Sequence, residues 1–367
     1  MAPLGTRSDI SNGLSLKSIT KRFGARVALD GVTLDVARGH VLCLLGQTGC
    51  GKSTTLRIPA GLERPDTALV FVGGRLVEGE GHHEPPETRR VGLMFQDYAL
   101  FPHLSARQNV AFGLAKLPRA ERETRAEAAL ARVGLSKLKD AYPHTLSGGE
   151  QQRVALARML APGPDVVLMD EPFSGLDASL REEVRGTTLS RLKQAEAAVV
   201  MVTHDPDGAM RVGDAVAVME EGRIVQIGSP TEIYRTPKTR RTAALFGGAN
   251  LFHARVVNGA ANSPFGLAGA NFVADGDWAE IVFRPSSVRV AEYGVPARVL
   301  AVRPQGGQLE VEAQIEPSCL AEGVEAPMSV RAAAPFEAGI APGAEIRLFA
   351  RPEDAFVFPC RDRVCRA

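Results

Sequence analysis

Apolar residues come in short runs, and the runs differ between the first two thirds of the chain and the last third. From residue 14 to about 240 they alternate with helical patterns and end in turn or Gly-rich sequence. Three runs are continuous, which is typical of strands buried on both faces: VLCLL (41–45), VVLM (166–169) and AAVVMV (197–202). The pattern predicts an α/β fold with a mostly parallel sheet packed against helices.

Helical patterns dominate residues 98–164, which we interpret as a helical insert between the strands. Its segment 119–133 carries acids early, arginines late and an apolar face, as an amphipathic helix does. Two features weaken other helices. Pro59 should kink or end the helix that follows residue 51, and Gly186, Thr187 and Thr188 interrupt a helical run with residues of lower helix propensity.

Composition changes after Lys238, the last lysine of the chain. Gly, Pro, Ala and Val become frequent, and alternating runs such as 280–284, 308–316 and 345–351 are separated by Gly and Pro turns. These runs predict a small β-barrel or sandwich. The expected organisation is a flexible N-terminus (1–12), an α/β domain (13–240), a linker (241–249) and an all-β domain (250–367).

Charge and length exclude several classes of protein. The 367 residues carry 43 Lys plus Arg and 42 Asp plus Glu, a net charge of +1, which gives no global field toward nucleic acid or anionic lipid. No stretch predicts a transmembrane helix. The start, MAPLGTRSDI, lacks the apolar core of a secretion signal, so we expect a reducing, cytosolic environment in which the five cysteines need not pair.

A phosphate-binding loop is indicated by GQTGCGKST (46–54), which follows an apolar strand and opens a helical segment. This is the context that the pattern G-x-x-x-x-G-K-[ST] requires. Its glycines let backbone N–H groups point at phosphates. Lys52 would hold the β- and γ-phosphates, and Ser53 would bind Mg²⁺. The residues expected to contact the nucleotide are Gly46, Gln47, Thr48, Gly49, Cys50, Gly51, Lys52, Ser53 and Thr54.

Two acids end the strand in VVLMDEP (166–172). Open α/β sheets place ligands at the C-terminal ends of their strands. Asp170 is therefore expected to reach Mg²⁺, directly or through water, and Glu171 to accept a proton from an attacking water.

A second anion site is indicated by LSGGEQQRVALAR (146–158), because Ser147, Gly148 and Gly149 precede a helical pattern and present backbone amides. This stretch resembles the signature of ATP-binding cassette (ABC) ATPases, and the other motifs of that family follow in order. KRFG (21–24) is similar to the adenine-stacking loop, with Phe23 where many relatives carry Tyr. The remaining matches are the Q-loop with Gln96 in FQDYALFPHLS (95–105), the D-loop with Asp177 in SGLD (174–177) and the switch with His204 in VTHD (202–205).

The resemblance implies an ATPase that uses ATP and Mg²⁺ and works as a head-to-tail homodimer. Each ATP would lie between the phosphate loop of one copy and the signature of the other. The signature residues would contact the γ-phosphate in trans, His204 would sense it in cis, and Asp177 would bridge the two sites. Gln96 would contact Mg²⁺ and transmit closure. The family's catalytic roles therefore fall on Lys52, Gln96, Glu171 and His204.

A chain with one cassette and a C-terminal β-domain resembles the ATPase subunits of bacterial solute importers. These subunits lie on the cytoplasmic face of the inner membrane, contact integral membrane permease subunits and depend indirectly on a periplasmic solute-binding protein. Segments 221–237 and 246–252 are similar to the join into the oligonucleotide/oligosaccharide-binding (OB)-like, TOBE-type regulatory domain of the ferric iron, polyamine and sulfate group. Within that group, DEPFSGLDASLREEVR (170–185) is most similar to ferric iron ATPases.

Other interpretations of the function remain open. The solute could be a polyamine or sulfate, and the chain could be an exporter or a non-transport ABC ATPase of DNA repair or translation. It could also be a nucleotide-regulated binding protein whose β-domain is the functional end. Nucleic acid is not an expected partner, because the alternating segment QLEVEAQIE (308–316) carries no Lys or Arg.

Overall fold

A computed structural model describes residues 13–95, 97–173, 178–319 and 327–360, apart from the side chains of 178–180, 183 and 191. The chain divides into two compact units, Met1–Thr231 and Glu232–Ala367. None of the helices in these described ranges is both long and apolar enough to cross a bilayer.

The first unit is the α/β part of the chain. Its strands are β1 (Leu14–Phe23), β2 (Arg26–Val36), β3 (Val41–Gly46), β4 (Thr67–Val72), β5 (Arg75–Gly79), β6 (His82–His83), β7 (Val91–Met94), β8 (Val166–Asp170), β9 (Ala198–Val202), β10 (Ala215–Glu220) and β11 (Arg223–Gly228). Its helices are α1 (Lys52–Arg57), α2 (Ala106–Phe112), α3 (Arg119–Arg132), α4 (Gly148–Leu160), α5 (Ala178–Gln194) and α6 (Pro206–Val212), and α7 (Pro230–Arg235) spans the boundary.

Two sheets form this unit within the described residues. An antiparallel sheet has the order β2-β1-β4-β5-β6, and a six-stranded sheet has the order β11-β10-β3-β9-β8-β7. The six-stranded sheet is parallel except at the β10–β11 pair. The three continuous apolar runs are β3, β8 and β9, at its centre, and their side chains are almost fully buried. The predicted α/β class is confirmed.

Register places the C-terminal ends of these three strands side by side. Val202, the last residue of β9, pairs with Leu44 of β3 on one side. On its other side it pairs with Asp170, the last residue of β8. Whatever follows these strands therefore gathers at one edge of the sheet.

Helix α1 is short, as Pro59 predicted: it ends at Arg57 with Ile58 as its C-cap. The turn that follows α1 is also held by a side chain from another part of the chain. The guanidinium of Arg89, which is fully buried, donates to the carbonyls of Ile58 at 2.9 Å and Pro59 at 3.3 Å. Its charge is balanced by Glu78, whose Oε2 lies 2.5 Å away.

Helices α2, α3 and α4 pack on one another in the predicted insert, around an apolar cluster that includes Val110, Leu130 and Val154. Helix α5 differs from the expectation, because it runs without interruption through Gly186, Thr187 and Thr188. Burial explains the difference. Thr188 and the neighbouring Leu189 are about 95% buried, so tertiary packing outweighs local helix propensity.

In its described residues the second unit is all-β apart from the end of α7, α8 (Arg240–Ala244) and single turns. Its strands are β12 (Asn250–Val257), β13 (Ala260–Ser263), β14 (Gly266–Gly269), β15 (Trp278–Phe283), β16 (Arg289–Ala291), β17 (Val295–Gln305), β18 (Gln308–Ile315), β19 (Met328–Ala334), β20 (Glu345–Phe349) and β21 (Phe356–Pro359).

Five of these strands form a sheet of order β14-β13-β12-β15-β21, and the other five form a closed barrel of order β16-β19-β18-β17-β20. Alternation in β18 follows the prediction, since Leu309, Val311, Ala313 and Ile315 face the core. The second unit is thus OB-like, and together with the α/β unit it confirms the predicted fold class.

Candidate functional site

The predicted phosphate loop lies between the end of β3 and the start of α1. Two of its glycines have no room for a side chain. A Cβ on Gly46 would stand 2.3 Å from the carbonyl oxygen of Met219, and one on Gly51 would stand 2.5 Å from that of Ala28. Gly51 also has a φ of 110°, which L side chains rarely adopt. The loop is therefore fixed by close backbone contacts on both sides.

Lys52 folds back over this loop. Its ammonium donates to the carbonyl of Gly46 at 2.7 Å and to that of Gln47 at 2.9 Å. Gln47, Thr48 and Gly49 are exposed, whereas Cys50 is buried and Ser53 and Thr54 are half-buried. The positive charge thus lies where the loop faces solvent, as a phosphate-binding lysine requires.

Phe23 is placed near the phosphate loop by its strand partner Arg26, through a contact that the sequence did not predict. Phe23 ends β1 and pairs with Arg26, the first residue of β2. Arg26 donates to the carbonyl of Gly49 at 2.9 Å and so ties the β1–β2 turn to the phosphate loop. Phe23 is 49% exposed, and the ammonium of Lys21 lies 4.9 Å from the centroid of its ring. The exposed part of the ring is available for contact with a planar group.

Glu171 and His204 meet at the neighbouring strand ends. The Nδ1 of His204 lies 3.0 Å from the Oε2 of Glu171. Glu171 has a φ of 49°, rare for a residue with a side chain, and its N–H donates to the carbonyl of Val202 at 3.0 Å. Such conformations cluster at functional sites. The two side chains line a cleft of about 60 Å³ together with Thr203, Asp205 and Arg185.

Asp170 and Ser53 supply oxygen atoms at the same edge of the sheet. Asp170 ends β8, and Ser53 lies in the first turn of α1, which packs against β3, β8 and β9. A carboxylate and a hydroxyl are hard oxygen donors of the kind that Mg²⁺ prefers. The residues present therefore fit a magnesium ion beside the phosphate loop.

The predicted second anion site is the N-terminus of α4. Ser147 is the N-cap, and its Oγ accepts from the N–H of Glu150 while the Glu150 carboxylate accepts from the N–H of Ser147 at 2.8 Å. The Ser147 hydroxyl also donates to the Glu150 carboxylate, at 2.8 Å. The bond from the Ser147 backbone N–H and then the bond from the hydroxyl hold the pKa of Glu150 below its usual value. Ser147 and Gly148 are exposed.

Among the described residues, no hydrogen bond joins Ser147, Gly148 or Gly149 of the signature loop to residues 46–54 of the phosphate loop. Two further predicted residues, Gln96 and Asp177, lie outside the described residues. The structure thus brings together the phosphate loop, Asp170, Glu171 and His204, and it leaves the signature facing solvent.

The segment after Gln96 is fixed by a residue that the sequence did not single out. Tyr98 and Ala99 both have positive φ, and Arg158 of α4 donates to their carbonyls at 2.9 Å and 2.8 Å. Its guanidinium also lies 5.4 Å from the centroid of the Phe101 ring. Burial lowers the pKa of Arg158. The signature helix is thereby tied to the Q-loop segment.

Comparisons with known proteins agree with this geometry. The profile of the family described as "ABC transporter" matches residues 29–174. The chain is 44% identical over 250 residues to the Fe(3+) ions import ATP-binding protein FbpC of Escherichia coli K12, covering 68% of this chain and 71% of that protein. It is 40% identical over 300 residues to the sulfate/thiosulfate import ATP-binding protein CysA 2 of Chromobacterium violaceum, covering 81% of each.

A solved structure with a similar fold is the dimeric post-hydrolysis state of the ATP-binding cassette MJ0796 bound to ADP and Pi. It aligns with a TM-score of 0.54 and 30% identity, covering 59% of this chain and 98% of that one. The similarity therefore spans a whole cassette.

Proposed function

The chain belongs to the ABC transporter family, and from that premise we propose that it is the ATP-hydrolysing subunit of a bacterial solute importer that works through a separate permease. The observation that carries the proposal is the 3.0 Å contact between Glu171 and His204, at the sheet edge where the phosphate loop begins. A carboxylate and an imidazole in contact beside a phosphate site can order and deprotonate a water.

ATP binding is assigned to the phosphate loop and its surroundings. Backbone N–H groups of residues 46–54 would bind the phosphates, and Lys52 would exchange its two carbonyl partners for β- and γ-phosphate oxygens. The exposed ring of Phe23 would stack on the adenine. Ser53, Asp170 and Gln96 would hold Mg²⁺, which supplies charge neutralisation for the phosphates when it is bound.

Hydrolysis is assigned to Glu171 and His204. Glu171 would take the proton of the attacking water, and His204, whose imidazole is 66% exposed, would contact the γ-phosphate. General-base catalysis contributes about 10²- to 10⁴-fold to a rate. Replacing Glu171 with Gln keeps the shape of the side chain and removes the base, so ATP binding should persist while turnover is lost.

The open signature supports a head-to-tail homodimer. Ser147, Gly148 and Gly149 would contact the γ-phosphate bound by the other copy, and Asp177 would lie between the two sites. Importers and exporters share this arrangement, so the dimer does not by itself distinguish them.

Import is proposed from the relatives, which are named as import proteins for iron(III) and for sulfate or thiosulfate. We favour ferric iron, on the resemblance of residues 170–185, over a polyamine or sulfate. The subunit would bind its permease at the cytoplasmic face of the inner membrane, and a periplasmic binding protein would deliver the solute. The OB-like unit would act as a TOBE-type regulatory domain.

The experiment is to purify the tagged chain from detergent-solubilised membranes of its host and to identify its partners by mass spectrometry. ATPase activity is then measured with iron-, polyamine- and sulfate-loaded binding proteins, with Glu171→Gln as the inactive control. A multi-span permease and stimulation by the iron-loaded protein would support the full proposal. Stimulation by the polyamine- or sulfate-loaded protein would keep the proposed importer function and change only the identity of its solute.

Two results would favour the alternatives. Soluble partners alone, with ATPase activity retained, would indicate a non-transport ABC ATPase. Tight ligand binding by the β-unit of a full-length chain that hydrolyses no ATP would indicate a nucleotide-regulated binding protein.

A further inference from the structure

The segment that carries His204 is fixed by its two neighbours. Thr203 Oγ1 accepts from the N–H of Asp205 at 3.0 Å. Asp205 in turn caps α6, because its Oδ1 accepts from the N–H of Gly208 at 2.9 Å. His204 itself is largely exposed. Its position at Glu171 therefore depends on how firmly Asp205 is held.

Arg185 of α5 lies on the other side of Asp205. Its side chain is 4% exposed, and its Nη1 is 3.7 Å from the Oδ2 of Asp205. Its Nη2 is hydrogen-bonded to Glu182 one turn earlier, and this bond is the main reason that the pKa of Glu182 lies below its usual value. Arg211 of α6 reaches the same Glu182 oxygen at 3.2 Å.

Gly208 has no room for a side chain on the side that faces this cluster. A Cβ on Gly208 would stand 2.2 Å from the Oδ2 of Asp205 and 2.6 Å from the Nη1 of Arg185. Gly208 has an ordinary helical backbone, so only this contact excludes a side chain there. The geometry holds the Asp205 carboxylate between the start of α6 and the buried guanidinium.

We propose that Arg185 is a positioning residue for hydrolysis, which holds Asp205 and thereby keeps His204 beside Glu171. This inference rests on the proposed function. Arg185 lines the same cleft as Glu171 and His204 and acts through the switch segment. The charge of Arg185 is needed, because a buried guanidinium that faces two carboxylates fixes their geometry more firmly than a solvent-exposed ion pair does.

The test is a double-mutant cycle on the kcat of ATP hydrolysis in the full chain. Arg185→Ala should lower kcat by about 10- to 100-fold, as a misplaced catalytic group does, without weakening ATP binding. In a His204→Ala background, the same change should have no further effect on single-turnover hydrolysis, because the residue it positions is already absent. A multiplicative loss in the double variant would overturn the inference.

Three variants keep the test independent of folding. Arg185→Lys retains the charge and should restore part of kcat. Gly208→Ala keeps every charge but separates Asp205 from Arg185, so it should lower kcat in the wild-type background and not in His204→Ala. Arg211 contacts the same Glu182 from an exposed position, so Arg211→Ala should leave kcat unchanged. Equal effects of Arg211→Ala and Arg185→Ala would overturn the inference, whereas a wild-type chain without ATPase activity would overturn the proposed function as well.

Discussion

The phosphate loop and the signature loop offer the same chemistry in opposite surroundings. Both place glycines and backbone N–H groups at the start of a helix. The phosphate loop is enclosed, with Gly46 and Gly51 against carbonyl oxygens of β10 and β2. The signature is open: apart from chain neighbours and its own helix, no described atom lies within 4 Å of where a Cβ on Gly148 would stand.

The surroundings of the two loops indicate which of them is completed by groups of the same chain. The phosphate loop has Lys52, the oxygen donors proposed for Mg²⁺ and the proposed base Glu171 at one edge of one sheet. The signature has only a capped helix end, in which Glu150 already occupies the Ser147 amide. An exposed, pre-shaped anion site of this kind is suited to a phosphate that arrives on another molecule.

The largest contrast is expected from the same substitution in both loops. Gly51→Ala places a Cβ at positive φ against the Ala28 carbonyl, strain that costs about 1–3 kcal/mol, and we expect ATP binding to be lost. Gly148→Ala has room and should leave both unfolding free energy and ATP binding close to wild type. Isothermal titration with ATP and thermal unfolding measure both, and equal damage at the two positions would contradict the comparison.

Charge should separate binding from hydrolysis at the signature. Gly148→Asp places a carboxylate where a γ-phosphate is expected, and like charges at short range repel. We expect steady-state hydrolysis to be lost while ATP still binds to the intact phosphate loop. Gly269→Asp, at an exposed position of β14 that has no positive φ and open space around it, is the control and should hydrolyse normally.

The smallest effect is expected from the cap itself. Ser147→Ala removes the cap of α4 and should lower the unfolding free energy by about 1 kcal/mol. Ser105 caps α2 through the same pair of bonds, with Gln108 in place of Glu150, so Ser105→Ala should cost a similar amount. Only Ser147→Ala should also lower kcat, and a matching loss in Ser105→Ala would reduce the role of Ser147 to capping.

Contiguous features were predictable from the sequence. The strands β3, β8 and β9 are apolar throughout, and each motif that follows them is a local string, so the fold class and the gathering of these motifs could be inferred. The early end of α1 was also predictable, since a proline that falls after the first turn interrupts a helix.

Contacts between distant segments were not predictable. Arg26, Arg89 and Arg158 act on backbone carbonyls, which leave no trace in the sequence of their partners, and Arg185 meets Asp205 only because α5 packs beside the switch. Helix α5 shows the same limit, because burial of Thr188 overrides the weak propensity of its sequence. Local sequence patterns identify the candidate functional residues, whereas contacts between distant segments hold these residues in position.

The most direct measurement uses a mixed pair of defective chains. Lys52→Ala disables one phosphate loop and Gly148→Asp disables one signature, and the pair is isolated by two different tags after co-expression. If the site is shared between copies, each variant alone is inactive, and the mixed pair contains one site with an intact loop and an intact signature. We predict that ATP hydrolysis returns in the mixed pair. A mixed pair as inactive as either variant, although it still binds ATP, would show that the site is not shared between copies.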